Sequence, residues 1–175
     1  MEVELSAEAK DKRVNRTVAI SVVLLSVTMG LGHIKDSNLV QRMSVTKADQ
    51  VDAWNEYQAT RIKARVVEVA RTQSSAAEPA HDASLAKYAA EAPKLQRQAQ
   101  VLEERYEALD RRHEQFDLAE AGLTIALSVA AVAALIESWP VLAVAWLFGG
   151  FGVLMTVAAF AQLPLHPDAL IGLVG

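Results

Sequence analysis

The chain has 175 residues, a formal net charge of −4 and no cysteine. These facts exclude disulfides, thiolate catalysis and cysteine-based metal sites, and they exclude a generally basic nucleic-acid binder. Its apolar residues are gathered into blocks instead of being spread at amphipathic spacing, which is the pattern of a membrane protein.

Residues 1–13 read as a charged N-terminal arm. Residues 17–34, "TVAISVVLLSVTMGLGHI", contain no Asp, Glu, Lys or Arg, and they anchor a predicted first transmembrane helix over 14–33. A cleaved signal peptide is the competing reading, because "GLG" offers small residues at the required spacing. The apolar stretch is long for a signal and Gly is a poorer cleavage residue than Ala, which favours a retained span.

Residues 34–117 are expected to form a long extramembrane helical insertion. Residues 34–73 hold no Pro or Gly and many helix formers, so they predict one extended polar helix. Its Trp54 and Tyr57 are partner-contact candidates, and Trp54, Tyr57, Ile62, Val66 and Val69 are expected to face a second leg or another subunit. "TQSSAAEPAHDAS", residues 72–84, has turn composition, with Asp82 or Ser84 as the cap of the next helix. From there Leu85, Tyr88, Ala92, Leu95, Ala99, Leu102, Tyr106, Leu109, His113 and Phe116 fall at alternating spacings of three and four. That is a coiled-coil-like seam, and Leu95, Leu102, Tyr106, Leu109 and Phe116 are its expected oligomer contacts. Pro93 lies off this seam. Helices over 34–73 and 82–117 would measure about 60 and 54 Å at about 1.5 Å per residue, so the legs match as an antiparallel hairpin.

Two further uncharged stretches, 121–136 and 138–167, predict transmembrane helices over 118–137 and 139–163, with a C-terminal tail over 164–175. Helices in lipid associate through small residues and scattered polar contacts. Gly122, Ala126, Ala130 and Ala134 form one small-residue stripe; Ala145, Gly149, Gly152, Thr156 and Ala159 form another. Ser26 and Gly30 are a weaker version in the first span. The short "ESWP" joint places Trp139 at interfacial depth and Pro140 in the first turn of the last span. The fold class is therefore all-α, with three transmembrane helices and a long hairpin between the first and second.

A hairpin would bring His33, His113, Asp117 and Glu120 to one membrane face. Two imidazoles and two carboxylates suit a divalent ion in type, but they come from distant positions without ligand-motif spacing, so no metal is assigned. Glu120 stands at the doorway of the second span, where a carboxylate costs less than at mid-bilayer. Its expected role is positional, as an anchor or an interhelical contact to His33, Ser26 or a neighbouring subunit's His113. Glu120, His113 and His33 form the possible polar interface site. No catalytic or cofactor-binding motif occurs, and no enzyme activity or cofactor is expected. The Lys and Arg distribution favours a cytoplasmic N-terminus with the hairpin on the opposite side.

"DAWNEYQATRIK", at 52–63, resembles the Trp-x-x-Tyr-Gln-Ala segment of an uncharacterised bacterial membrane family, domain of unknown function 4337, through Trp54, Tyr57, Gln58 and Ala59. "RHEQFDLAEAGLTIAL" is similar to that family's approach to its second span, and "NRTVAISVVLLSV" stands in the expected order before both. The resemblance implies a three-span architecture with a helical insertion after the first span, in a bacterial inner membrane. It implies no activity. The expected role is that of a self-associating structural or scaffolding protein of the bilayer, with a larger membrane complex as a further partner. The second expectation is a transporter or channel accessory with Glu120 and His113 beside a polar pathway.

Overall fold

The computed structural model describes residues 2–73 and 79–165, with side chains from residue 12 onward. Three helices follow in chain order: α1 (Glu2–Gln73), α2 (Pro79–Leu135) and α3 (Trp139–Ala161). No strand occurs among the described residues. Each helix contains a window long and apolar enough to cross a membrane. α1 runs unbroken from Glu2, so the charged arm belongs to the helix itself. α2 is also continuous where its charged half becomes apolar, near residue 117. Pro93 lies inside α2 with its ring exposed, and the helix continues past it.

Contacts divide the chain into two units, Met1–Val40 with Asp110–Gly175, and Gln41–Leu109. In the first unit the three helices meet through small side chains. Val14, Val18, Ala130, Ala133, Leu142 and Ala145 are buried together, and Leu25, Leu123 and Ala126 form a second cluster. Gly122 and Gly152 let α2 and α3 touch backbone to backbone. A Cβ on Gly152 would lie 2.7 Å from Leu123 Cγ and 2.9 Å from Ala119 O, and one on Gly122 would lie 3.3 Å from Gly152 Cα. Such close approach is how helices gain dispersion contacts where burying apolar surface gives little advantage. Gly149 packs in the same manner against Leu25 of α1. The expected α1 contribution is corrected: Gly30 has nothing near it and Ser26 is exposed, whereas Gly32 is buried and faces Phe116 and Thr156.

The "ESWP" joint is tight for a specific reason. Glu137 adopts the left-handed conformation, with φ of 52°. Its turn lets the Ser138 amide donate to Ala133 O at 3.1 Å, the pattern of a helix stop that satisfies otherwise orphaned carbonyls. Pro140 then occupies the first turn of α3. α3 ends in the same way, with Gln162 at φ 57° and the Leu163 amide donating to Ala158 O at 2.9 Å. The two apolar helices therefore end at Leu135 and Ala161, each two residues before its expected boundary.

In the second unit, α1 buries Met43, Thr46, Gln50, Ala53 and Thr60, and α2 buries Leu95 and Ala99. Leu102, Tyr106 and Leu109 are half-buried. The Lys47 ammonium sits 4.9 Å over the Tyr106 ring, and Arg71 pairs with Asp82 at 3.3 Å. One expectation is narrowed and one corrected here: for Ile62, Val66 and Val69 the second leg is excluded and another subunit is left. Ile62, Val66 and Val69 are exposed at 63, 62 and 54 %, because the face that α1 turns inward carries Thr46, Gln50, Ala53 and Thr60. α2 begins at Pro79, so Asp82 and Ser84 are not its cap; the Ser84 hydroxyl donates to Ala80 O within the helix.

Candidate functional site

The first unit holds a polar cluster beside its apolar packing. α1 supplies His33 and Asp36, three residues apart and hence on one face; α2 supplies His113, Asp117 and Glu120 at spacings of four and three. Nδ1 of His113 lies 2.7 Å from Oδ1 of Asp36, and its Nε2 lies 3.6 Å from Oδ2 of Asp117. His33 Nδ1 is 3.8 Å from Glu120 Oε2. Between these pairs, Met29, Gly32, Phe116, Ala119, Leu123 and Thr156 line a shallow cleft together with His33, Asp36 and Glu120.

Burial decides how these groups behave. The side chains of Asp36 and His113 are 15 and 29 % exposed, whereas those of His33 and Glu120 are 68 and 51 % exposed. The Asp36–His113 pair is thus held by protein, and the His33–Glu120 pair is largely solvated and contributes little. Partial burial alone would lower the His113 pKa. The hydrogen bond to Asp36 and the charges of Asp117, Asp36 and Asp110 outweigh that effect and raise it above the ordinary 6.5. Asp117 is raised above its ordinary value too, first by burial and then by Asp36, Glu120 and Glu114, against the opposing pull of His113.

The donor atoms of Asp36, His113 and Asp117 lie within 4.8 Å of one another. Their closest approaches, however, are to opposite nitrogens of the ring. One imidazole offers a given ion a single nitrogen, so the short Nδ1–Asp36 contact and the longer Nε2–Asp117 contact cannot both be ligand pairs of one ion. The arrangement suits a shared proton.

Of the expected polar residues, His33, His113 and Glu120 do lie in this cluster: Glu120 faces His33, one of its expected neighbours, and His113 bonds Asp36. Asp36 went unrecognised in the sequence. Its signal is its place: it stands seven residues after Met29 and seven before Met43, on the inward face of α1.

Phe116, expected in an oligomer seam, is 3 % exposed and packs edge-on against Phe160 of α3, so it is committed within the chain. The buried Gln115 beside it was also unforeseen. Its amide donates to Leu163 O at 2.9 Å and Leu165 O at 2.7 Å, holding the segment after α3. Gly122, Ala126, Ala130, Gly149 and Gly152 are all buried. Trp54 and Tyr57 are half-buried in an edge-on pair at 5.6 Å, with Arg61 donating to the Tyr57 hydroxyl.

Residues 14–162 match the family described as Domain of unknown function (DUF4337), and the chain belongs to that family. No curated protein and no solved structure matches the chain.

Proposed function

We propose that this member of the family is an integral membrane scaffold that associates with copies of itself. The three apolar helices cross the bilayer, residues 34–117 form an antiparallel hairpin outside it, and the N-terminus is cytoplasmic. The resemblance to a bacterial membrane family supports the inner membrane as the setting. Lys47 with Tyr106 and Arg71 with Asp82 support the hairpin, since the later residue of α1 meets the earlier residue of α2.

The observation that carries self-association is the apolar surface on the charged part of the chain. Ile62, Val66 and Val69 recur at helical spacing and stand largely exposed in a segment too charged to lie in lipid. Contiguous apolar surface in water is a mark of an interaction site. Nearby, the small residues Thr60, Ala64, Ala89 and Ala92 leave a groove between the legs, open to a third helix. Tyr57, Arg61 and Tyr88 line its walls.

The chain has no cysteine, which makes single-cysteine crosslinking clean. Val66→Cys in native membranes is expected to form a disulfide between copies, and Lys94→Cys, also exposed, is not. Equal or absent crosslinking at both positions would count against the scaffold reading.

A second reading, an accessory subunit of a transporter or channel, draws on the His33–Glu120 and Asp36–His113 pairs at one end of the apolar helices. It requires Glu120→Gln to alter ion flux in reconstituted liposomes. Flux indifferent to that change removes it.

A further inference from the structure

We propose that Asp36, His113 and Asp117 form a proton-operated clasp between α1 and α2, closed when the imidazole carries two protons and loosened when it carries one. The basis is the donor count. A neutral imidazole has a single N–H, and the 2.7 Å contact to Asp36 uses it at Nδ1. Nε2 is then a bare acceptor facing the Asp117 carboxylate at 3.6 Å. Two acceptors turned toward each other repel. A second proton on the ring makes Nε2 a donor to Asp117 along α2 and gives the Asp36 bond, the link across to α1, a charged donor, which strengthens it.

The surroundings favour the closed form. His113 meets Asp36 from α1, and Asp110 and Asp117 from its own helix. Asp117 in turn meets Asp36, Glu114 and Glu120. His33, the other imidazole of the cluster, faces Glu120. α3 contains no Asp, Glu, Lys, Arg or His. The raised His113 pKa agrees with this geometry and places the release of the clasp on the alkaline side of 6.5. The sign follows by linkage: the clasp's stabilisation is complete below the unfolded value and is lost as pH rises through the folded one. This inference depends on neither functional reading, because it concerns a contact inside one copy.

The test uses the full-length protein in nanodiscs with 13C-labelled histidine. The chain has four histidines, and ring signals assigned through His33→Gln, His81→Gln and His166→Gln leave His113 by elimination. His113 is expected to titrate above 6.5 and to shift downward in both Asp36→Asn and Asp117→Asn. The thermal midpoint of the wild type is expected to fall between about pH 6 and about pH 8.5, the range in which histidine changes charge. His113→Gln should flatten that fall and His33→Gln should preserve it. A His113 signal titrating at or below 6.5 overturns the proposal, even if His113→Gln does not fold. So does a pH dependence that survives loss of the ring.

Discussion

A methyl group on Gly152 would lie 2.7 Å from Cγ of Leu123, closer than real carbon contacts allow. Ala119 O and the Leu123 amide nitrogen lie 2.9 Å from the same point, and backbone of a continuous helix cannot step aside as a flexible side chain can. Gly152→Ala therefore has to spread α2 from α3. Overpacking of this kind costs about 1–3 kcal/mol, against a gain of about 1 kcal/mol from replacing Gly by Ala in a helix. The net expectation is a loss, read as a lower midpoint of intrinsic-fluorescence unfolding in detergent. Gly150, two residues away, has nothing within 4 Å of its would-be Cβ. Gly150→Ala is expected to leave stability unchanged or raise it by up to about 1 kcal/mol.

Gln115 gives a second expectation, with a sign that depends on donor chemistry. Its amide satisfies the carbonyls of Leu163 and Leu165 after α3 has ended. Gln115→Ala removes both bonds from a buried position and is expected to cost about 1–3 kcal/mol. Gln115→Glu should be worse near neutral pH, since an ionised carboxylate turns acceptor oxygens toward two carbonyls. Protonation restores one donor, so the defect of Gln115→Glu should shrink as pH falls, whereas that of Gln115→Ala should not. Limited proteolysis of the 163–165 segment at two pH values checks this; equal cleavage of the two variants at both would contradict it.

The joint between α2 and α3 supplies a stabilising change. Glu137 holds a left-handed conformation at φ 52°, which costs a residue bearing a Cβ roughly 1–2 kcal/mol. Its side chain accepts a bond from Asn15 Nδ2 at a long 3.3 Å in an exposed place, and the loss of that contact is minor. Glu137→Gly is expected to raise stability by about 1 kcal/mol. Glu137→Val, with a branched side chain in the same conformation, should lower it. Thermal unfolding of the pair gives the comparison directly.

The three membrane-competent helices were legible because the apolar windows are free of Asp, Glu, Lys and Arg, a signal that tertiary packing does not alter. Gly122, Ala126 and Gly152 were legible for a related reason: small residues at spacings of three and four form a groove on any helix. The inward face of α1 was not. Thr46, Gln50, Ala53 and Thr60 are polar or small, and a search for apolar stripes passes over them in favour of Ile62, Val66 and Val69, which the structure turns outward. The seven-residue recurrence of Val18, Leu25, Gly32, Leu39, Thr46, Ala53 and Thr60, every one buried, marks that face only once size is weighed beside hydropathy. Asp36 was hidden for another reason. Its partner His113 lies 77 residues away, and pairing at that distance depends on helix register, which composition does not supply.

Association between copies rests on the exposed apolar stripe of α1, and the mass of the purified particle tests it most directly. Protein extracted from its membrane into lipid nanodiscs, with scaffold and lipid mass subtracted, should weigh an integer multiple of 18.9 kDa greater than one. Ile62→Lys together with Val66→Lys should return it to a single copy. A wild-type particle that is strictly one chain, under conditions where the fold is intact, would contradict the scaffold reading.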